Sequence, residues 1–428
     1  MSELKERIKG RLGDLLPLKY GKSLPAAVRD NTGSVPVYGS SGVVGNHSAA
    51  LTSGPAIIVG RKGNVGAVHY SAVPCWPIDT SYFAEAPIGH DPRYYRYLLS
   101  SLGLARLDKS TAIPGLSRDD YNAVEVTIHP PEQQAEVVAE IEKQFSRLDE
   151  AVANLQRVKA NLKRYKASVL KAAVEGRLVE TEASIAQREG RSYETGEQLL
   201  QRILEVRRER PKGKSKYKEP ALPNLDAFTE LPEGWAWASV EQVVAHLTDG
   251  DHQAPPQTDA GVPFLVIGNV RTGEIDLSNT RFVGEDYYNS LDPYRQPAKG
   301  DLLYTLVGSY GIPVRVKTIE RFCIQRHMAI LRPHSESPMD YLTIAMASDN
   351  VFKQATEVST GTAQMTVPLG GLRSIAFGLP PKHEQTRIVA EVDRHLSIIC
   401  EVETEVDENL QRAQALRQAT LADKFSSS

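Results

Sequence analysis

Residues Gly60 to Gly66 read GRKGNVG and lie between the apolar runs AIIV and AVHY. Glycines interleaved with Arg and Lys are the raw material of a phosphate cradle, so nucleotide chemistry is the first thing to test. A phosphate-binding loop of the G-x-x-x-x-G-K-[ST] type needs its first glycine for close backbone approach. The GKS at Gly21 to Ser23 has Leu16 at that place. The GRKGNVG loop lacks the spacing of a dinucleotide fingerprint and leads into a β-like run, where the fingerprint requires a helix N-terminus. The histidines show neither H-E-x-x-H nor paired His/Cys spacing, and Cys75, Cys323 and Cys400 stand far apart, so no metal site is expected. A Mg²⁺-dependent nuclease would follow Asp79 with an acid-x-Lys pair, but the acid at Glu85 is followed by Ala86 and Pro87. An adenine methyltransferase would place an acid or Asn before Pro-Pro-aromatic. The Pro-Pro pairs here follow His129, Ala254 and Leu379. No catalytic residue and no metal ligand is expected in this chain.

The same residue types suit recognition. Arg and Lys read guanine or grip phosphate, Asn reads adenine, and Ser does either. The candidates in the first half are Lys22, Ser40, Ser41, Arg61, Lys62, Asn64 and Lys109. In the second half they are Asn269, Arg271, Ser309, Tyr310, Arg326, His327 and Gln364. The glycine loops were further expected to offer free backbone N–H groups.

These residues must be positioned by something, and the chain supplies it twice. QAEVVAE from Gln134 matches QTRIVAE from Gln385 at an offset of 251. KSTAIPGL from Lys109 lies opposite TGTAQMTV from Thr360 at the same offset, CWPIDTSYF opposite CIQRHMAIL at 248, and Gly63–Gly66 opposite Gly308–Gly311 at 245. An offset that drifts in one direction is what small loop insertions leave in two copies of one domain. Each copy is rich in Gly, Pro and short β-branched runs, then meets a Pro-Pro pair. Proline suits the first turn of a helix and no strand interior, so a helix is predicted to start there. In the first helix Ile141, Leu148, Leu155, Leu162 and Val169 recur every seven residues, with Ala151, Val158, Tyr165 and Ala172 three places on. In the second, Val392, Ile399, Val406, Ala413 and Thr420 follow suit. A sustained seven-residue apolar repeat predicts that the two helices pair as a coiled coil. The first helix also carries a run of cations from Arg157 to Lys171 without an acid.

The expected fold is therefore α+β: two similar globular recognition domains joined by an antiparallel pair of long coiled-coil helices, an internal pseudo-two-fold repeat. Its parts are a first domain over 1–129, a first long helix over 130–178, a short helix and exposed linker over 179–230, a second domain over 231–379 and a second long helix over 380–425. In LPEGWAWASV, Trp235 and Trp237 are expected to anchor the second domain's opening strand. A net charge of −3 rules out a generally basic nucleic-acid binder, so DNA contact would need local patches. No apolar run reaches the length of a membrane span, and the charged start lacks a signal peptide's apolar core. Widely spaced cysteines suit a reducing cytosol.

With these residues in place, the chain resembles the specificity subunit of type I restriction–modification enzymes. PVYGSSGVVG, GRKGNVG and WPIDTSYF look like one class of its target-recognition domain. PPKHEQTRIVAE and LKRYKASVLKAAVEGRL look like its two helical regions, and LPEGWAW like a domain start. The first copy departs from this by lacking a G-W opening, starting instead near LGDLLPLKYGKSL. The resemblance implies a non-catalytic reader of a split, asymmetric sequence in double-stranded DNA, acting in a bacterial or archaeal cytoplasm. Its partners would be two modification subunits that bind S-adenosylmethionine and methylate adenine, and restriction subunits that use ATP and Mg²⁺. Two other classes stay open on residues alone: a self-contained DNA methyltransferase or nuclease, and a coiled-coil scaffold with two protein-binding domains.

Overall fold

Strand Ile8–Arg11 closes against Glu125–Ile128, with Ile8 opposite Ile128, and strand Ala236–Ser239 closes against Ala376–Leu379, with Ala236 opposite Leu379. In each case the second strand runs straight into a long helix, so the start of the chain is tied to the helix entrance. The first copy thus opens at IKGR, upstream of the start that the sequence suggested. The computed structural model describes residues 7–30, 33–108, 114–209, 217–223, 225, 230–253 and 255–426. It divides into two compact units, residues 1–158 with 405–428, and residues 159–404. The consecutive blocks expected from the sequence are corrected by this division. Each unit takes in part of both long helices, because those helices supply core residues.

In the first unit an antiparallel sheet orders Lys19–Tyr20, Ser81–Ala84, Ala56–Gly60 and Val68–Ser71. A second sheet orders Gly42–His47, Val35–Gly39 and Trp76–Pro77. Strand Ala56–Gly60 is buried on both faces. With a side-chain period of two, Ile57 and Val59 enter the main core, while Ala56 and Ile58 meet Cys75 and Tyr38. The main core is completed by Val138, Ile141, Leu421 and Phe425 from the two long helices. The Phe425 ring meets Tyr94 edge-on at 5.2 Å.

The second unit repeats the plan. One antiparallel sheet orders His246–Asp249, Met328–Arg332, Leu302–Thr305 and Pro313–Arg315, and Leu302 and Tyr304 face one core while Leu303 faces another. The other orders Gln257–Thr258, Arg281–Val283, Val262–Leu265 and Cys323–Ile324. Trp235 is buried in the core, as expected, whereas Trp237 is only partly covered. The short helix expected before the linker is present as Gly196–Glu209, and most of the linker expected over Arg208–Phe228 lies outside the described residues. Helix Glu182–Glu189 precedes that short helix, and Leu199, Leu200, Ile203 and Leu204 of Gly196–Glu209 are buried in this unit's core.

The long helices run from Pro131 to Val174 and from Lys382 to Phe425. Both entrances are fastened by the same device. Gln134 Nε2 donates to the His129 carbonyl at 3.0 Å, and Gln385 Nε2 donates to the Pro380 carbonyl at 2.8 Å. Within the first unit the helices run antiparallel, with Glu140 paired to Lys424 and Asp149 to Arg417. Within the second, Tyr165 Oη and His395 Nδ1 lie 2.9 Å apart.

The heptad frame needs one correction. Ile141, Val169, Val392, Ile399, Val406 and Ala413 are buried and Leu148, Leu155 and Leu162 half-buried, as expected for a seam. Three places on, Ala172 is half-buried, but Ala151 is exposed, Val158 is 39% exposed and Tyr165 45%. Towards the ends of the helices the companion row lies four places on, at Phe145, Val152 and Ala173 in the first helix and Leu396 and Leu410 in the second, all at least partly buried, whereas Lys159 and Lys166 in the middle are exposed. Both i+3 and i+4 neighbours share a helix face, so periodicity alone leaves the side of the stripe ambiguous.

Glu384, in the first turn of the second long helix, is buried and accepts from Trp235 Nε1 at 3.0 Å and from the Glu182 backbone N–H at 2.8 Å. Burial pushes its carboxyl above the usual range despite these donors. A carboxyl raised by folding binds a proton more tightly in the folded state. The folded state is therefore favoured as pH falls through the raised value, and the gain levels off below the unfolded value. Burial also pushes up the neighbouring Glu182, but hydrogen bonds from Arg191 and Arg387 outweigh it and hold that carboxyl low. Its titration therefore falls in a more acidic window. Glu384→Gln is expected to abolish a rise in thermal midpoint that the unaltered protein shows on acidification from neutral pH towards the carboxylate range. An identical pH profile in both proteins would refute the assignment.

Candidate nucleic-acid interface

Gly63 and Gly66 adopt φ of +80° and +74°, and Gly308 and Gly311 adopt +67° and +91°. Such values suit glycine, because a Cβ clashes with the backbone there. The two loops close alike. Gly66 N donates to Gly60 O at 2.8 Å, and Gly311 N donates to Thr305 O at 3.0 Å. The same returning segment backs both: Leu116 N donates to Arg61 O, and Val367 N donates to Leu306 O. Lys62 bridges Gly115, and Val307 bridges Thr366. A Cβ on Gly66 would stand 2.3 Å from the Ala105 amide nitrogen. Gly66→Ala is therefore expected to cost about 1–2 kcal/mol for the positive φ alone, and more from the backbone clash. Urea denaturation measures the loss, and an unchanged midpoint would exclude this geometry.

The loop cannot act as a backbone cradle. Gly60 N donates to Ala67 O, Arg61 N and Lys62 N both donate to Thr80 O, and Val65 N donates to Gly63 O. Asn64 N lies 3.5 Å from Ser40 Oγ. These donors are spent inside the fold, so contact by this loop rests chiefly on its side chains.

The first unit brings most of its candidates to one surface. Lys62, Asn64, Ser41 and Lys22 are exposed, while Ser40 is buried beneath the loop. Lys22 lies beside Trp76, whose Nε1 donates to the Lys22 carbonyl at 2.9 Å. The Arg61 guanidinium lies 5.5 Å from the Tyr20 ring and 5.9 Å from that of Tyr82. Arg118 lies 5.2 Å from the same Tyr20 ring. Tyr82 Oη donates to the Leu116 carbonyl at 3.1 Å, and burial raises its phenol pKa. Among the described residues, Lys22, Arg61, Lys62 and Arg118 have no carboxylate partner. Arg61 Nε is buried without any hydrogen-bond partner. Sequence reading missed Tyr20 and Arg118. Arg118 directly follows Ser117, which caps helix Arg118–Asn122 by accepting from Asp120 N, and a cation on a cap next to a repeated segment was the available signal. Lys109 lies outside the described residues.

In the second unit Ser309, Gln364 and Arg326 are exposed around the matching loop. The Tyr310 ring stacks on Phe352 with centroids 5.3 Å apart, and its Oη lies 3.0 Å from Thr356 Oγ1. His327 occupies the place of Thr80, accepting from Leu306 N at 2.8 Å. Burial, with Arg326 beside it, lowers the His327 pKa, so it is neutral at physiological pH. Two candidates do not join this group. Asn269 is buried, its Oδ1 accepting from Val266 N and its Nδ2 donating to the Asp276 and Asn279 carbonyls. It holds its own loop and has no amide left to read a base. Arg271 instead lines a separate cleft of about 940 Å³ with Lys166, Arg315 and Asp393.

No helix among the described residues is long and apolar enough to cross a membrane. Residues 6–164 match the family model for the type I restriction modification DNA specificity domain. The chain is 25% identical over 303 residues to the type I restriction enzyme EcoBI specificity subunit of Escherichia coli, covering 69% of this chain and 56% of that one. It is 25% identical over 193 residues to the EcoKI specificity subunit of Escherichia coli strain K12, covering 43% and 41%. The matches thus span about half the length of these relatives. Among solved structures, a chain from work on complex assembly and conformational transition of the type I R-M system aligns with a TM-score of 0.65 at 16% identity, covering 98% of this chain and 97% of that one. The HsdS subunit from Thermoanaerobacter tengcongensis aligns with a TM-score of 0.50 at 17% identity, covering 98% and 97%. At these identities the likeness concerns the fold.

Proposed function

We propose that the chain is a type I restriction–modification specificity subunit, which reads a split, asymmetric DNA target and directs modification and restriction subunits to it; the match of residues 6–164 to that family's model and the likeness to the EcoBI specificity subunit support this reading. The carrying observation is the pair of matching glycine loops, each braced by the same returning segment and ringed by polar or cationic side chains. The matched strand closures and glutamine clamps support reading the chain as one domain duplicated, with each copy reading one half of the target. The long helices, with their common seven-residue seam, are proposed as the spacer between the two readers. The chain itself performs no chemistry in this reading. S-adenosylmethionine belongs to the modification subunits, two per chain, and ATP with Mg²⁺ to the restriction subunits. The assembly works in the cytoplasm of a bacterium or archaeon.

The test has two arms. Purified alone, the chain is expected to show no saturable binding of labelled S-adenosylmethionine, and such binding would favour a self-contained methyltransferase. Expressed with its modification subunits, it should place methyl groups at one bipartite sequence in the methylome. Methylation that is absent, or lacks a split pattern, would refute the proposal.

A further inference from the structure

The two glycine loops are equivalent in backbone but differ in the side chains that three matching positions carry. By their shared hydrogen bonds, Arg61 corresponds to Leu306 and Lys62 to Val307. Arg118 and Leu369 each open the short helix that follows the returning segment. Three cations of the first copy are thus aliphatic in the second. Leu306 and Val307 are buried and Leu369 packs against the core. In their stead the second loop is flanked by Phe352 and Met365, 45% and 36% exposed, with Phe352 stacked on Tyr310 and Met365 O accepting from Gly308 N.

We infer, resting on the DNA-reading function proposed above, that the Arg61–Tyr20–Arg118 cluster is a phosphate clamp that anchors the first half of the target, whereas at the second loop, beside exposed Arg326, the Phe352–Met365 surface contacts the second half through apolar groups. Two guanidiniums within 5.5 Å of one half-exposed tyrosine ring, neither paired with a carboxylate, repel each other until an anion arrives. A phosphate takes two parallel N–H···O bonds from a guanidinium, and among the described residues neither Arg61 nor Arg118 is paired with a carboxylate that would compete for those donors. The tyrosine face lowers the conformational freedom that each arginine loses on binding and adds a cation–π attraction. Phosphate contacts fix register on the duplex. The aromatic and thioether groups of the second copy suit base faces and the thymine methyl, which need no counter-charge.

The experiment uses the full chain with its modification subunits and a duplex carrying the methylated target, with affinity measured against salt concentration. Each phosphate contact contributes about 0.9 to the slope of log affinity against log salt. Arg61→Gln with Arg118→Gln is expected to flatten that slope by roughly two, and Arg61→Lys with Arg118→Lys to restore most of it. Phe352→Ala with Met365→Ala should weaken binding about tenfold at every salt concentration with the slope unchanged. An unchanged slope in the glutamine pair, with target binding retained, would overturn the clamp alone. A slope change in the Phe352–Met365 pair equal to that in the arginine pair would overturn the division of labour. Failure of the unaltered complex to bind its target would overturn both this inference and the function beneath it.

Discussion

Exchanging residues 1–129 for the corresponding domain of a type I restriction–modification specificity subunit is expected, on the proposed function, to change one half of the methylated sequence and leave the other half and the spacing as they were. The two copies have separate cores, so the bases that one reads do not depend on the side chains of the other. The fold adds a condition that the sequence did not supply. Val138, Ile141, Leu421 and Phe425 of the long helices remain behind in such an exchange, and they complete the core of the first unit. The incoming domain must present something like Tyr94 to Phe425. A mismatch there opens a cavity of aromatic size, which costs about 3–5 kcal/mol and would unfold the domain before specificity could be read. The safer exchange therefore takes residues 1–158 together with 405–428. Methylome sequencing reads the result. Simultaneous change in both halves would defeat the modular reading.

The second large effect concerns the spacer. An α-helix rises about 1.5 Å per residue, so seven added residues lengthen it by about 10 Å, close to three base-pair steps. Seven residues also preserve the heptad, whereas four would break the register of the seam of Ile141, Val392 and their companions and locally unwind the pair. Asn154 and Glu405 are exposed positions on the two helices, so insertion there removes no core side chain. Matched seven-residue insertions at Asn154 and Glu405 are expected to leave the bases of both half-sites unchanged and to widen the unread gap by about three base pairs. A gap of the original width with altered half-site bases would show that the helices do not set it. Single four-residue insertions should instead weaken methylation by shifting one helix out of register with the other.

What the sequence determined was what neighbouring residues encode. The Pro-Pro pairs located both helix entrances, because proline's missing N–H and fixed φ suit that position and few others. Glycines repeated at a constant spacing located both loops, because a positive φ excludes other side chains. The heptad row from Ile141 to Val169 located the seam, but not which side of it the second row occupies, since i+3 and i+4 are equally near on a helix. Tertiary structure alone decided which groups remain free to touch a ligand. Asn269 read as a base reader until three backbone partners consumed its amide, and the loop N–H groups were likewise taken up by Thr80 and Ala67. Tyr20, Arg61 and Arg118 are far apart in the chain and follow no period. They meet because strand pairing brings Tyr20 opposite Tyr82 while the returning segment carries Arg118 past the glycine loop. Local order fixes the backbone's available shapes, whereas the satisfaction of each polar group depends on partners that long-range pairing delivers.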